Sequence, residues 1–162
     1  EVEKAALALD AALPRGIRVL AADAVDTHHA ALMSQAAGAS YRVTLPYSKD
    51  VSVAVAEFNA APELLFKKAA PKTKAKFKDI DVKFYIPQLT AEQTETETIF
   101  SFDCKITPTG SMKAVDLLNA LNEQYGLALP VEMADIERLR LYRNNKNGKP
   151  IPMLNSDAVT LG

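Results

Sequence analysis

The 162-residue chain is 48% hydrophobic and carries 19 basic against 20 acidic side chains, for a net charge of −1. That length and apolar content suit one domain with a continuous core, and the near-neutral balance says nothing about a polyanionic partner, which only local clustering of charge can indicate. A single cysteine, Cys104, excludes an intrachain disulfide or a multi-cysteine zinc or iron–sulfur site within this chain, which points to a reducing, cytoplasmic setting.

In chain order, Val2, Ala6, Leu9 and Leu13 recur at helical spacing until Pro14 and Gly16 end the pattern. The start at Glu1, inside that pattern and without a basic flank or apolar signal stretch, reads as a piece excised from a longer polypeptide. Residues 17–25 read as a short strand and Thr27–Ala37 as a short helix. The adjacent His28 and His29 lack the i, i+4 spacing of a helical metal pair. Tyr41, Val43 and Leu45 alternate with Arg42 and Thr44 as a half-buried strand closed by Pro46. Asp50 then caps a helix over 50–60 whose Val51, Ala54, Val55 and Phe58 form one apolar stripe.

Glu63–Lys67 is the next strand candidate. It leads into seven lysines between Lys67 and Lys83, set against only Asp79 and Asp81. Such a cluster either meets a polyanion or keeps a connection soluble. Pro71 and the like charges predict that residues 69–78 are irregular and mobile. Residues 82–86 read as a strand with Val82, Phe84 and Ile86 inward and Tyr85 outward, Asp79 and Asp81 being balanced by neighbouring lysines. After a Thr- and Glu-rich turn, Phe100, Phe102, Cys104 and Ile106 define the clearest strand, with Cys104 a small buried apolar residue. Met112, Val115, Leu118 and Leu121 share a face of a helix over 111–125 that Gly126 stops. Leu139 and Leu141 alternate with Arg138, Arg140 and Tyr142, and Asn147-Gly148 turns into an edge strand carrying Pro150 and Pro152.

From Tyr41 onward this order predicts an α+β fold, a ferredoxin-like split βαβ antiparallel sheet with two helices on one face, with residues 1–38 as an N-terminal helix–strand extension of a single domain whose core is 39–162. Phe100, Phe102, Leu118 and Leu139 are expected in that core. The sheet's other face is then open. No glycine-rich phosphate loop, nucleophile elbow or zinc-protease motif occurs, and no cofactor or catalytic residue is expected in this chain.

Several stretches, LPRGIRVLAADAV at 13–25, ALMSQAAGASYRV at 31–43, KAKFKDIDVKFYI at 74–86, GSMKAVDLLNAL at 110–121 and IERLRLYRNNKNGKPIPM at 136–153, together resemble the uncharacterised radical-SAM-linked bacterial domain, which occurs alone or fused behind a radical SAM enzyme. The matching positions are Leu13, Pro14, Gly16, Ile17, Val19 and Leu20, then Asp81, Val82, Tyr85 and Ile86, and Arg138; Arg15 stands where the family's first motif is acidic. By this resemblance the family's N-terminal half is missing here.

The resemblance implies an accessory domain serving a radical SAM enzyme, fused or separate, in RNA modification or metabolism. Three readings follow: a module presenting RNA, a domain docking on the partner enzyme without RNA contact, and a catalytic domain whose site lay in the missing half. For the first, Lys72, Lys74, Lys76 and Lys78 are the phosphate-binding candidates and Tyr85 and Tyr142 the stacking candidates, with Arg138 and Arg140 ranked second because on a strand they can instead pair with acidic neighbours such as Glu137 or Asp135. No membrane partner is expected.

Overall fold

The computed structural model describes residues 1–26, 28, 30–69, 76–155 and 157–161. In chain order the elements are α1 (Val2–Ala12), β1 (Ala21–Ala22), a 3-10 turn at Leu32–Gln35, β2 (Ala36–Pro46), α2 (Ser52–Ala60), β3 (Leu65–Ala69), β4 (Phe77–Asp81), α3 (Val82–Tyr85), β5 (Leu89–Gln93), β6 (Glu97–Thr107), β7 (Gly110–Ser111), α4 (Ala114–Tyr125), a second 3-10 turn at Val131–Met133, β8 (Asp135–Asn144), β9 (Pro150–Pro152) and β10 (Val159–Thr160). It is a mixed α+β protein with antiparallel sheets. No helix among the described residues is long and apolar enough to cross a membrane.

The chain divides into two compact units, Glu1–Gln35 with Arg143–Gly162, and Ala36–Tyr142. In the first, α1 is followed by a turn fixed by Asp10, which accepts from the Val19 N–H at 2.7 Å and from Arg18 Nε at 3.0 Å. These bonds, the one from Arg18 foremost, hold the Asp10 carboxyl below its usual range. Only two residue pairs, Ala21 with Thr160 and Ala22 with Val159, form the β1–β10 ladder. The strand expected over 17–25 is therefore mostly irregular: Ile17, Leu20 and Val25 stay exposed, without the burial that an extended apolar run needs for its stability. Thr27 and His29 lie outside the described residues. Arg143 donates to Pro152 O at 3.1 Å and to Asn155 Oδ1 at 2.9 Å, tying the end of β8 to β9 and the loop beyond it.

In the second unit the sheet order is β5-β6-β2-β8. β2 runs antiparallel to β6 over nine residue pairs, from Gly38 with Lys105 to Pro46 with Glu97, so the odd residues of β2 and the even residues of β6 share one face. That face is the core. Val43, Leu45, Phe100, Phe102 and Cys104 are buried in one cluster with Val51 at the start of α2, Ala54 and Phe58 within it, and Leu117, Leu118 and Leu121 from α4. Each fully buried leucine or phenylalanine of such a cluster contributes about 1.5–3 kcal/mol relative to exposure. The expected stripe of α2 is thus present; on α4 the inward position is Leu117, while Val115 is partly exposed. Gly126, at φ 57°, closes α4 as its left-handed stop.

Four local expectations differ. Residues 36–37 open β2 rather than end a helix: the run Ala36-Ala37-Gly38-Ala39 lets β8 lie close, since a Cβ at Gly38 would overlap the Tyr142 ring. Residues 82–85 form a helical turn. Asp81 caps it, its Oδ1 accepting from the Lys83 and Leu64 N–H groups at 3.0 and 3.1 Å, and the buried pair Val82 and Ile86 is the i, i+4 signature of a helix, leaving Phe84 exposed. The Thr- and Glu-rich stretch contributes β5, so the strand beside β6 is Leu89–Gln93, while β3 and β4 form a separate hairpin. Leu139, expected in the core, is 47% exposed.

Candidate functional site

The open face of the β5-β6-β2-β8 sheet carries the even residues of β2 and the odd residues of β6. Their register sets Ser40 directly opposite Asp103. The Ser40 hydroxyl donates to Asp103 Oδ1 and accepts from Arg140 Nε at 2.8 Å, so one buried hydroxyl bridges a carboxylate and a guanidinium drawn from three strands. The hydroxyl's one proton goes to the carboxylate and one of its two lone pairs to the guanidinium. Its consequence is orientation. Arg140 is held at Nε, and the two terminal nitrogens are the part of the fork free to meet a planar anion.

Tyr142 lies two residues on. Its ring centroid is 5.5 Å from the Arg140 guanidinium carbon, within cation–π range, and the ring covers Gly38. Partial burial first, and the Asp103 charge second, push the Tyr142 hydroxyl above the ordinary tyrosine range, with Arg140 acting in the opposite direction. The tyrosine is therefore uncharged near neutrality. Alongside lies a cleft of about 460 Å³ with Ser40, Thr90, Ser101 and Asp103 among its polar lining and Pro87 and Leu139 as apolar walls. Leu139, which is exposed, borders this cleft.

The expected site residues fall in different places. Arg140 and Tyr142 are brought together on the open face. Arg138 is exposed earlier on the same strand. Tyr85 sits on α3, partly buried against the core and edge-on to Phe84 at 5.0 Å, so it does not stand outward on a strand. Lys76 and Lys78 belong to the β3–β4 hairpin, where Lys78 faces Lys68 across the strands and Lys67 faces Asp79. Lys72 and Lys74, and with them most of the segment expected to be mobile, lie outside the described residues.

Two of the seven clustered lysines have structural work instead. Lys68 Nζ pairs with Asp116 of α4 at 2.6 Å, both side chains largely covered. Lys83 Nζ donates to Pro87 O at 2.5 Å and lies 4.5 Å from the Phe58 ring centre, and burial pulls its ammonium below the usual lysine range. Asp81, expected to balance lysine charge, is spent on capping.

The chain reading passed over Ser40 and Asp103. Asp103 occupies a plain polar position of an alternating strand, and Ser40 ends a run of small residues. Only their pairing 63 positions apart, with Arg140 a further hundred residues beyond Ser40, gives them a role. Cys104, next to Asp103, faces the core, where burial raises its thiol and Sγ donates to Met112 O at 3.4 Å. That is a structural cysteine. Among the described residues no cluster of three or more His, Cys, Asp or Glu side chains could hold a metal ion.

A family model described as uncharacterized protein conserved in bacteria (DUF2344) matches residues 1–117. No curated protein and no solved structure matches the chain.

Proposed function

Because the chain belongs to this bacterial family, whose description names no activity, we propose from the site itself that it is a non-catalytic accessory domain that holds single-stranded RNA on the open sheet face for a partner enzyme. The observation that carries the reading is the guanidinium of Arg140, pinned beside the half-exposed ring of Tyr142 by Ser40, a residue that also lines the cleft. An oriented cation next to a neutral aromatic on an antiparallel sheet is the combination that single-stranded RNA uses, phosphate on one and a base on the other. The β3–β4 hairpin adds sequence-independent attraction through Lys76 and Lys78.

The unit Ala36–Tyr142 fits a ferredoxin-like split βαβ arrangement. Its strand order β5-β6-β2-β8, with α2 after β2 and α4 after β6, supports that reading, the β3–β4 hairpin being an insertion between α2 and β5. The partner proposed is a radical SAM enzyme, on the strength of the sequence stretches quoted above, which sets the protein in the cytoplasm.

Docking on that enzyme without RNA contact is the second reading, favoured by Ile136 and Leu139, two exposed apolar side chains on β8. Titrating the chain into a labelled single-stranded RNA at increasing salt separates the two. The RNA reading expects binding at low salt that weakens steeply with added salt and falls at least tenfold on Arg140→Ala. Absence of binding at low salt rejects it and leaves docking.

A further inference from the structure

We infer that the open-face cleft is base-selective: it takes a guanine, whose Watson–Crick edge donates to the Asp103 carboxylate, while Arg140 holds that nucleotide's phosphate. The inference rests on the RNA reading and names the substrate feature it would recognise.

Four observations meet here. The cleft, about 460 Å³, is within the size range of sites that enclose a small planar ligand. Pro87 and Leu139 offer apolar surface to a ring, whereas the lining contributed by Ser40, Thr90, Ser101 and Asp103 is polar. Of these polar groups only Asp103 is charged, and an ionised carboxylate is an acceptor with no donor of its own. Ser40 fixes it through Oδ1, leaving the acceptor capacity of Oδ2 in hand.

Base chemistry then decides. Guanine alone sets two adjacent N–H donors, N1–H and the N2 amino group, on its Watson–Crick edge. Adenine and cytosine each place an acceptor nitrogen beside their amino group, and uracil flanks its N3–H with two carbonyl oxygens, so a carboxylate is repelled by part of each of those edges. The phosphate does not meet the Asp103 charge bare, because Arg140 stands on the other side of the same Ser40 hydroxyl. A bidentate guanidinium suits a phosphate, and the carboxylate suits the base.

The test is fluorescence anisotropy of the whole chain with labelled pentauridine and with pentamers carrying one central guanosine, adenosine, cytidine or N1-methylguanosine. The central guanosine is expected to bind about ten- to a hundredfold more tightly than the other four, the range for hydrogen bonds to a charged group. Asp103→Asn is expected to bring the guanosine pentamer to the affinity of pentauridine. Equal affinity for all five pentamers overturns the inference while leaving RNA binding in place. So does a guanosine preference that survives N1-methylation, an arm that needs no variant and is therefore independent of how Asp103→Asn folds. Binding by none of the pentamers at low salt rejects the RNA reading itself, and this inference with it.

Discussion

The two cationic regions of the Ala36–Tyr142 unit are built on opposite plans. On the open sheet face one arginine is fixed by a buried hydroxyl, flanked by an aromatic ring and backed by a carboxylate. On the β3–β4 hairpin several lysines stand on a two-stranded ribbon, and those that are held at all are held for the sake of the fold, as Lys68 is by Asp116. An arginine held at one nitrogen loses little freedom on meeting a phosphate, while a solvated lysine surrenders most of its rotamers for the same contact. The dense charge cluster that dominates the sequence is thus the weaker candidate for specific recognition. A single arginine that sequence reading ranked second is the stronger one.

The largest effects are expected where that organisation is cut. Arg140→Ala removes the oriented fork and should weaken single-stranded RNA binding at least tenfold. Tyr142→Ala should cost about 1–3 kcal/mol if a base stacks there, with little change in salt dependence. Isotherms at several salt concentrations check both. If neither substitution moves the affinity, the face is not the interface and the comparison collapses.

Gly38→Ala probes the same contact from beneath. The atoms nearest the added Cβ are the outer atoms of the Tyr142 ring, so the ring should swing away rather than the sheet unfold. The expected signature is a Tyr142 hydroxyl whose titration falls back toward the ordinary tyrosine value, about 10, with RNA affinity lowered as in Tyr142→Ala. In the unaltered protein the raised tyrosine stabilises the fold fully below that ordinary value, and the contribution is lost as pH climbs through the folded-state titration. Ultraviolet titration of tyrosinate in the two proteins checks the shift; identical curves would mean that Gly38 does not position the ring.

Much of this organisation was legible in the chain. The apolar alternation over Phe100, Phe102 and Cys104, the stripe Val51, Ala54 and Phe58, and the stop at Gly126 are local signals, and each is found where it was expected. The errors share a cause. Over 82–86 five residues of alternating polarity fit one helical turn as well as a strand, and the decisive fact, Asp81 bonding to the Leu64 and Lys83 amides, includes a partner 17 residues away. Leu139 was assigned to the core by its own alternation, yet it is exposed and borders the cleft. The site itself was half legible. Arg140 and Tyr142 were named from the outward positions of β8, but Ser40 and Asp103 become partners only through the β2–β6 register.

Within the hairpin the lysines should separate in stability. Lys68→Ala breaks a largely covered pair and leaves Asp116 without its cation, so a loss of about 1 kcal/mol is expected. Lys78→Ala, on an exposed position opposite Lys68, should change stability little and even relieve a like-charge contact. Urea unfolding of the two variants checks the order; equal losses would remove the distinction drawn between structural and solvated lysines.

The smallest effect should come from replacing Lys72, Lys74, Lys76 and Lys78 together by glutamine. Solvated lysines that meet phosphate act through counterion release, so their loss should flatten the dependence of log affinity on log salt by up to about 0.7 per lysine for a single strand, leaving base preference untouched. Measured at low salt the four-lysine variant binds more weakly, and as salt rises its affinity converges on that of the unaltered chain, because the lost term is the one that salt itself suppresses. Arg140→Ala should not converge in this way, since an arginine oriented by Ser40 adds a hydrogen-bonding geometry that salt does not screen. Convergence in the four-lysine variant and its absence in Arg140→Ala is what distinguishes attraction from recognition. An unchanged slope in the four-lysine variant would assign the hairpin charges to solvation alone and leave the sheet face as the whole of the interface.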